Sequence, residues 1–404
     1  MSKFKPFKGI RPAPHLINEM LHAQFDHVIE RHASQISDEE IINWAALKGF
    51  SQSDIDESLK YFLKIGIGFR ELLAKGLLSE DQQECYYLIG INWYGQWVYG
   101  LIGAIGFEEY WTQKIKKHED TLEENEAELK RITQAIDFNF NPVMLTYKDE
   151  NAVNMAIEKI ALSPFTHQFV SADGLEHCFW VVNSTENIEE IKAAFTNVEE
   201  YYIADGHHRI ASGSLLAHEK LNEGGNYTSF ISMVISASQL QMYEFNRVVK
   251  DLNGLTDLEF FEKLEGFFEI NEKSEPIRPS IKFEYGMYFN QKWYHLKVKD
   301  ATQIEPYPLK QLDVSVLRHF VLTPILGIIN VRKSDRIAFL DGSKGIEMLI
   351  RMVDRGEMKV GFTLCPPSVD ELINVANHQE VMPPKATCIE PKLKSGIISR
   401  LLSN

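Results

Sequence analysis

The sequence predicts an α+β protein, and three kinds of signal carry that prediction. Capping boxes open amphipathic stretches. Ser37-Asp38-Glu39-Glu40 leads into Ile41, Ile42, Trp44 and Leu47, and Thr121 with Glu124 precedes Leu129, Ile132 and Ile136. Runs rich in aromatic and β-branched residues, at 86–107 and 177–182, read as strands. Finally, the run Tyr201-Tyr202-Ile203-Ala204 reads as a hydrophobic strand that stops at Asp205-Gly206 and turns straight into a helix.

The elements follow in chain order. Residues 4–9 start extended, and the chain is then mostly helical to about Leu78. A second amphipathic helix carries Leu59, Phe62, Leu63, Leu72 and Leu73. The apolar stretch 86–107 is broken by Asn92, Tyr94, Gly95 and Gln96, so two antiparallel strands with a turn near Tyr94-Gly95 explain it better than a membrane span. Glu123, Glu124 and Glu126 ahead of Lys130 and Arg131 match the polarity a helix dipole favours. Residues 142–147 read as a buried strand, which leaves Lys117-His118-Glu119 in a loop before the helix that leads there. Asp173-Gly174 is a turn, 188–195 a short helix and 228–237 another core strand. The polar stretch 272–280, with two prolines, marks a loop or module boundary. Strands near 281–289 and 293–298 and a helix from Asp313 come next, and Met382-Pro383-Pro384-Lys385 predicts a stiff extended segment. Three regions result: 1–104 (helical, with the hairpin), 105–270 (the core) and 271–404 (a C-terminal α+β section).

The most informative residues are Asp205-Gly206-His207-His208-Arg209. Gly206 permits the tight turn and lets a ligand approach the backbone. The amides at the start of the following helix form an anion site, reinforced by the helix dipole. His207, His208 and Arg209 add donors for phosphate oxygens, Arg209 in a bidentate fork. The alternative is a buried β-turn-α junction whose polar side chains only cap the helix. Zinc fits less well, because adjacent His on a helix diverge by about 100° and no nearby Cys or third His offers ligand spacing.

Composition narrows the function classes. A formal charge of −15 argues against broad binding to nucleic acid or acidic membranes. Cys85, Cys178, Cys365 and Cys388 are scattered without a C-x-x-C pair, as expected for reduced thiols in a cytosolic protein. The basic N-terminus lacks the apolar run of a signal peptide.

With these segments placed, the chain resembles the prokaryotic family catalogued as domain of unknown function 1015, nearly end to end. The matching motifs are Pro6-Phe7-Lys8-Gly9-Ile10-Arg11, Ile115-Lys116-Lys117-His118-Glu119-Asp120-Thr121, Ile203-Ala204-Asp205-Gly206-His207-His208-Arg209, Leu312-Asp313-Val314, Met382-Pro383-Pro384-Lys385 and Pro391-Lys392. More distantly, over roughly 105–220, the order His118-Glu119, helix, Pro142 strand, Asp-Gly-His-His-Arg resembles the ParB/sulfiredoxin superfamily. The nearest members are the free serine kinases of archaea. That resemblance implies a ParB/sulfiredoxin-like core in which Glu119 is the base for a serine hydroxyl and the Asp205–Arg209 turn holds nucleotide phosphates.

The nucleotide donor, ATP or ADP with CTP left open, would come with Mg²⁺, whose hydration shell Asp205 would bind, since Mg²⁺ often takes one or two carboxylates together with phosphates. Lys117 and Lys385 are further candidate phosphate contacts. The sequence departs from these patterns in places. His207 stands where sulfiredoxins carry Cys, so that reduction chemistry lacks its nucleophile. Within the nearer family, Ala23-Gln24-Phe25-Asp26 replaces Pro-Pro-Tyr-Asp, Phe245-Asn246-Arg247 replaces Thr-His-Arg, and Ala386 replaces Ser. The expectation is therefore phosphoryl transfer to a small hydroxylated metabolite such as L-serine. A non-catalytic nucleotide-binding regulatory or interaction protein is the alternative.

Overall fold

The computed structural model describes residues 3–22 and 24–403, so Ala23 of the Ala23–Asp26 element lies outside the described residues. The protein is α+β and divides into two compact units, Met1–Leu240 with Pro391–Asn404, and Gln241–Glu390.

The first unit is built on a nine-stranded sheet. Its strands are β1 (Phe4–Lys5), β2 (Tyr86–Trp93), β3 (Gln96–Gly106), β4 (Ile115–Lys116), β5 (Val143–Tyr147), β6 (His167–Val170), β7 (Glu176–Val182), β8 (Tyr201–Asp205) and β9 (Ser229–Ser236). They lie in the order β4-β8-β5-β9-β3-β2-β7-β6, with β1 added against β3. The β2–β3 hairpin closes at the Trp93–Gln96 pair. Tyr94 and Gly95 both have positive φ, 49° and 96°, as the tight two-residue hairpin turn requires. The pairing of β4 with β8 is parallel, and so is that of β5 with β9.

Helices Asn151–Ala161, Thr185–Ala194 and His207–Glu219 bury Val153, Ile157, Ile160, Ile191, Ile210 and Ala217 in the same apolar cluster as Leu88, Leu101, Ile105, Leu145 and Ile203. Each such large side chain contributes about 1.5–3 kcal/mol on burial. A second cluster, with Phe25, Ile29, Ile65, Phe69, Leu72, Ile136 and Phe138, joins helices Phe25–His32, Glu57–Ala74 and Glu123–Ile136. Among the described residues no helix is long and apolar enough to cross a membrane.

The capping box at Ser37 forms as expected: the Glu40 amide donates to Ser37 Oγ at 3.3 Å and the Ser37 amide to Glu40 Oε2 at 2.8 Å. The one at Thr121 does not. The helix begins at Glu123 with Leu122 as its cap, so Thr121 lies one residue too early and its hydroxyl donates to Glu126 instead. The helix ends at Asp137, whose φ is 64°. Its buried carboxylate accepts from Lys48 Nζ at 2.7 Å, the Tyr227 hydroxyl at 3.0 Å, the Ser403 amide at 3.2 Å and Arg70 Nη2 at 2.5 Å. Four sequence-distant segments meet on that one side chain.

The second unit holds a six-stranded antiparallel sheet of β10 (Phe245–Val249), β11 (Phe268–Lys273), β12 (Glu284–Phe289), β13 (Lys292–Val298), β14 (Ile337–Asp341) and β15 (Val360–Leu364). Their order is β11-β13-β12-β15-β10-β14. The polar stretch 272–280 lies inside this unit, since β11 runs to Lys273 and pairs with Trp293 of β13. The division falls earlier, after Leu240, because β10 must join β14 and β15 from much later in the chain. The Pro384-Lys385 step makes a turn rather than continuing extended, with Lys385 at φ 54°.

Asp137→Ala leaves the buried Lys48 ammonium without its carboxylate. We expect a loss of about 3–5 kcal/mol in guanidinium-induced unfolding. An unfolding midpoint equal to wild type would show that Asp137 does not anchor these segments.

Candidate active site

The site is assembled by the parallel pairing of β4 with β8, Ile115 with Tyr201 and Lys116 with Tyr202. Because the two strands run in the same direction, the loops at their carboxyl ends emerge side by side. One loop carries Lys117-His118-Glu119, the other Asp205-Gly206 followed by the helix His207–Glu219. Glu119 Oε2 stands 3.6 Å from His207 Nδ1 as a result.

Gly206 caps the helix in the left-handed region, at φ 101° and ψ 29°, with no side-chain cap. The first amides of the helix therefore have neither an intrahelical acceptor nor a capping oxygen, the condition for an anion site. A Cβ at Gly206 would also stand 2.8 Å from Arg209 Nε and Nη2. Glycine is required twice over, by the turn and by the guanidinium packed against it.

Arg209 does not project as a fork toward a ligand. Its Nη2 pairs with Asp205, and its Nη1 donates to the carbonyls of Asn141 at 3.2 Å and Pro142 at 3.1 Å. Burial draws its pKa down against the pull of Asp205. Arg209 thus ties the turn to the start of β5. The other Asp205 oxygen, Oδ1, faces Lys392 Nζ at 3.6 Å. With both oxygens turned to cations, Asp205 does not suit direct metal ligation. Among the described residues no group of three or more His, Cys, Asp or Glu is arranged to hold a metal ion.

His118 is buried, 2% exposed, and its ring meets that of His207 edge-on, with centroids 4.6 Å apart. Burial lowers the His118 pKa to about 4, opposed by a hydrogen bond to the Ile203 carbonyl. Burial, then the neighbouring His118, His208, Lys117 and Arg209, hold His207 well below its ordinary value. Both imidazoles are neutral near pH 7. His118 Nδ1, His207 Nε2 and His208 Nδ1 are buried without a hydrogen-bond partner. One of these ring nitrogens belongs to the loop after β4 and two to the first turn of the helix after β8.

Glu119, Asp205, Gly206, His207, His208 and Arg209 are therefore brought together, with exposed Lys117 two residues before Glu119. Lys385 belongs to the second unit. There its carbonyl accepts from Arg247 Nη2 at 2.8 Å and its Nζ lies 5.2 Å from the centre of the Phe245 ring. Sequence reasoning passed over His118 and Lys392. Both sit inside motifs quoted for the family resemblance, Lys117-His118-Glu119 and Pro391-Lys392, which was the available signal.

The depressed pKa of His118 makes a stability prediction with a definite sign. The unfolded chain binds a proton near pH 6.5 that the folded protein refuses until about pH 4. This contribution is therefore complete above pH 6.5 and is lost as the pH falls through that window. Between pH 7 and about 4.5, wild type should lose about 2–3 kcal/mol more than His118→Gln in chemical denaturation. Parallel pH profiles would contradict the buried neutral imidazole.

Several solved structures resemble the chain. A conserved hypothetical protein from Pyrococcus furiosus is 15% identical, with 74% of this chain and 94% of that one covered, at a TM-score of 0.33. A free serine kinase variant in complex with AMP is 16% identical, with coverages of 74% and 91% and a TM-score of 0.36. SbnI with a C-terminal truncation, from Staphylococcus aureus, is 14% identical, with coverages of 72% and 82% and a TM-score of 0.37. No curated protein matches the chain. A family model described as a protein of unknown function, DUF1015, matches residues 4–315, well over half of the sequence, and the chain belongs to that family.

Proposed function

We propose that the protein transfers a phosphoryl group from a nucleotide, ATP or ADP, to a small hydroxyl-bearing metabolite. The observation that supports this best is the approach of Glu119 to His207, which puts a half-exposed carboxylate beside the open end of the phosphate cradle. The amides of the first helical turn would receive phosphate oxygens, in a site where positioning and charge neutralisation do most of the catalytic work. The acceptor oxygen attacks the terminal phosphorus, and the bond to the leaving nucleotide phosphate breaks. The acceptor's proton passes to the Glu119 carboxylate. Lys117 lies close enough in sequence to Glu119 to add a phosphate contact. Mg²⁺ enters as part of the nucleotide donor, with Asp205 reaching its hydration shell through water at most. Free L-serine is the first acceptor to test, because the motif order resembles that of the serine kinases within a ParB/sulfiredoxin-like core.

A second reading, a nucleotide-binding regulatory protein without transfer, draws on the commitment of Arg209 to Asp205 and two backbone carbonyls. One variant separates the two. Glu119→Gln keeps the shape but cannot take the proton, so nucleotide affinity should hold while O-phosphoserine formation falls about 10²–10⁴-fold. Full turnover in Glu119→Gln would remove Glu119 from the base role. Nucleotide binding without product from serine or any other hydroxylated acceptor would favour the regulatory reading.

A further inference from the structure

We propose that Lys392 is the cation that contacts ligand phosphate at this turn, the part the sequence suggests for Arg209. The inference rests on the phosphate reading of the Asp205–Arg209 turn and adds a residue from a distant segment to it. Arg209 is committed: two of its nitrogens bind Asp205 and the carbonyls of Asn141 and Pro142, and removing it from them would untie the turn from β5. His207, pressed against His118 and 5% exposed at its side chain, contributes no positive charge. The helix amides alone carry partial charge and leave most of a phosphate dianion uncompensated.

Lys392 supplies what is missing. Its Nζ stands 3.6 Å from Asp205 Oδ1 while its side chain remains 52% exposed, which puts a cation beside the turn on a side chain open to solvent. Pro391 before it is buried, which fixes the backbone from which a flexible four-carbon stem reaches the site. The segment Pro391–Asn404 belongs to the same compact unit as the turn, although the whole second unit intervenes in the chain. An independent sign that a ligand belongs here is the orphaned Nε2 of His207, on a residue more than nine-tenths buried. A phosphate oxygen entering beside the first helical amides would take Lys392 as a charge-assisted donor, and Asp205 would keep Arg209.

The test measures binding of inorganic tripolyphosphate and of ADP to the full-length protein by calorimetry at low salt. Lys392→Ala should weaken both about 10–100-fold, the loss expected for one charged hydrogen bond. Lys392→Arg should stay within a few-fold of wild type. Lys394→Ala, two residues on and paired with Asp173 at 2.7 Å, should bind as wild type does. The melting temperature of Lys392→Ala should stay nearer to wild type than that of Arg209→Ala, whose side chain is buried and holds two backbone carbonyls as well as Asp205. If wild type binds and Lys392→Ala binds equally well, the assignment of Lys392 is overturned while the phosphate reading stands. If wild type binds neither probe, the phosphate reading falls and takes Lys392 with it.

Discussion

Two residue pairs in parallel register, Tyr201 with Ile115 and Tyr202 with Lys116, bring the loop of Glu119 beside the turn at Asp205-Gly206. Antiparallel pairing would send the loops after these strands to opposite ends of the sheet. Parallel pairing places a carboxylate, Glu119, beside the amino end of a helix. The pairing itself is short and rests on what flanks it. Ile115, Tyr201 and Ile203 are buried in the main apolar cluster of the first unit, and the Tyr201 amide extends the ladder to the Lys114 carbonyl at 2.8 Å. A site built on such a joint depends on burial more than on hydrogen bonds.

The turn shows how one glycine can serve geometry and electrostatics together. Gly206 takes a conformation other residues resist, and its bare Cα gives Arg209 room to lie flat against the backbone. The guanidinium then neutralises Asp205 and satisfies two carbonyls ahead of β5, which makes the cradle rigid. Rigidity favours binding, since little order is left to impose when a phosphate arrives. The strongest cation of the motif is thereby committed within the fold, and in the proposed phosphate site the charge comes from another segment. In a chain of formal charge −15, that makes the local placement of a few lysines decisive.

Much of this was legible in the sequence, for identifiable reasons. The strand, turn and helix around Gly206 follow from an apolar run, a glycine and a helical run of small residues, all local signals. The hairpin at Tyr94-Gly95 and the cap at Ser37 are local in the same way. What the sequence hid is tertiary. The partners of Arg209 are backbone carbonyls 67 and 68 positions away, and carbonyls leave no mark in a sequence. His118 sits between Lys117 and Glu119, two charged residues that suggest a solvated loop, yet it faces inward against His207. The division after Leu240 depends on strands pairing across nearly a hundred residues, so the proline-rich stretch at 272–280 was the more visible signal and marked only a loop.

In the proposed function, the start of the helix His207–Glu219 is a phosphate site with Glu119 at its edge. The most direct measurement is a crystal structure of the protein with ADP bound. Phosphate oxygens should lie within about 2.7–3.2 Å of the His207 and His208 amides, with the Glu119 carboxylate facing the terminal phosphate. Nucleotide phosphates bound elsewhere, with the Asp205–Arg209 turn left empty, would contradict it.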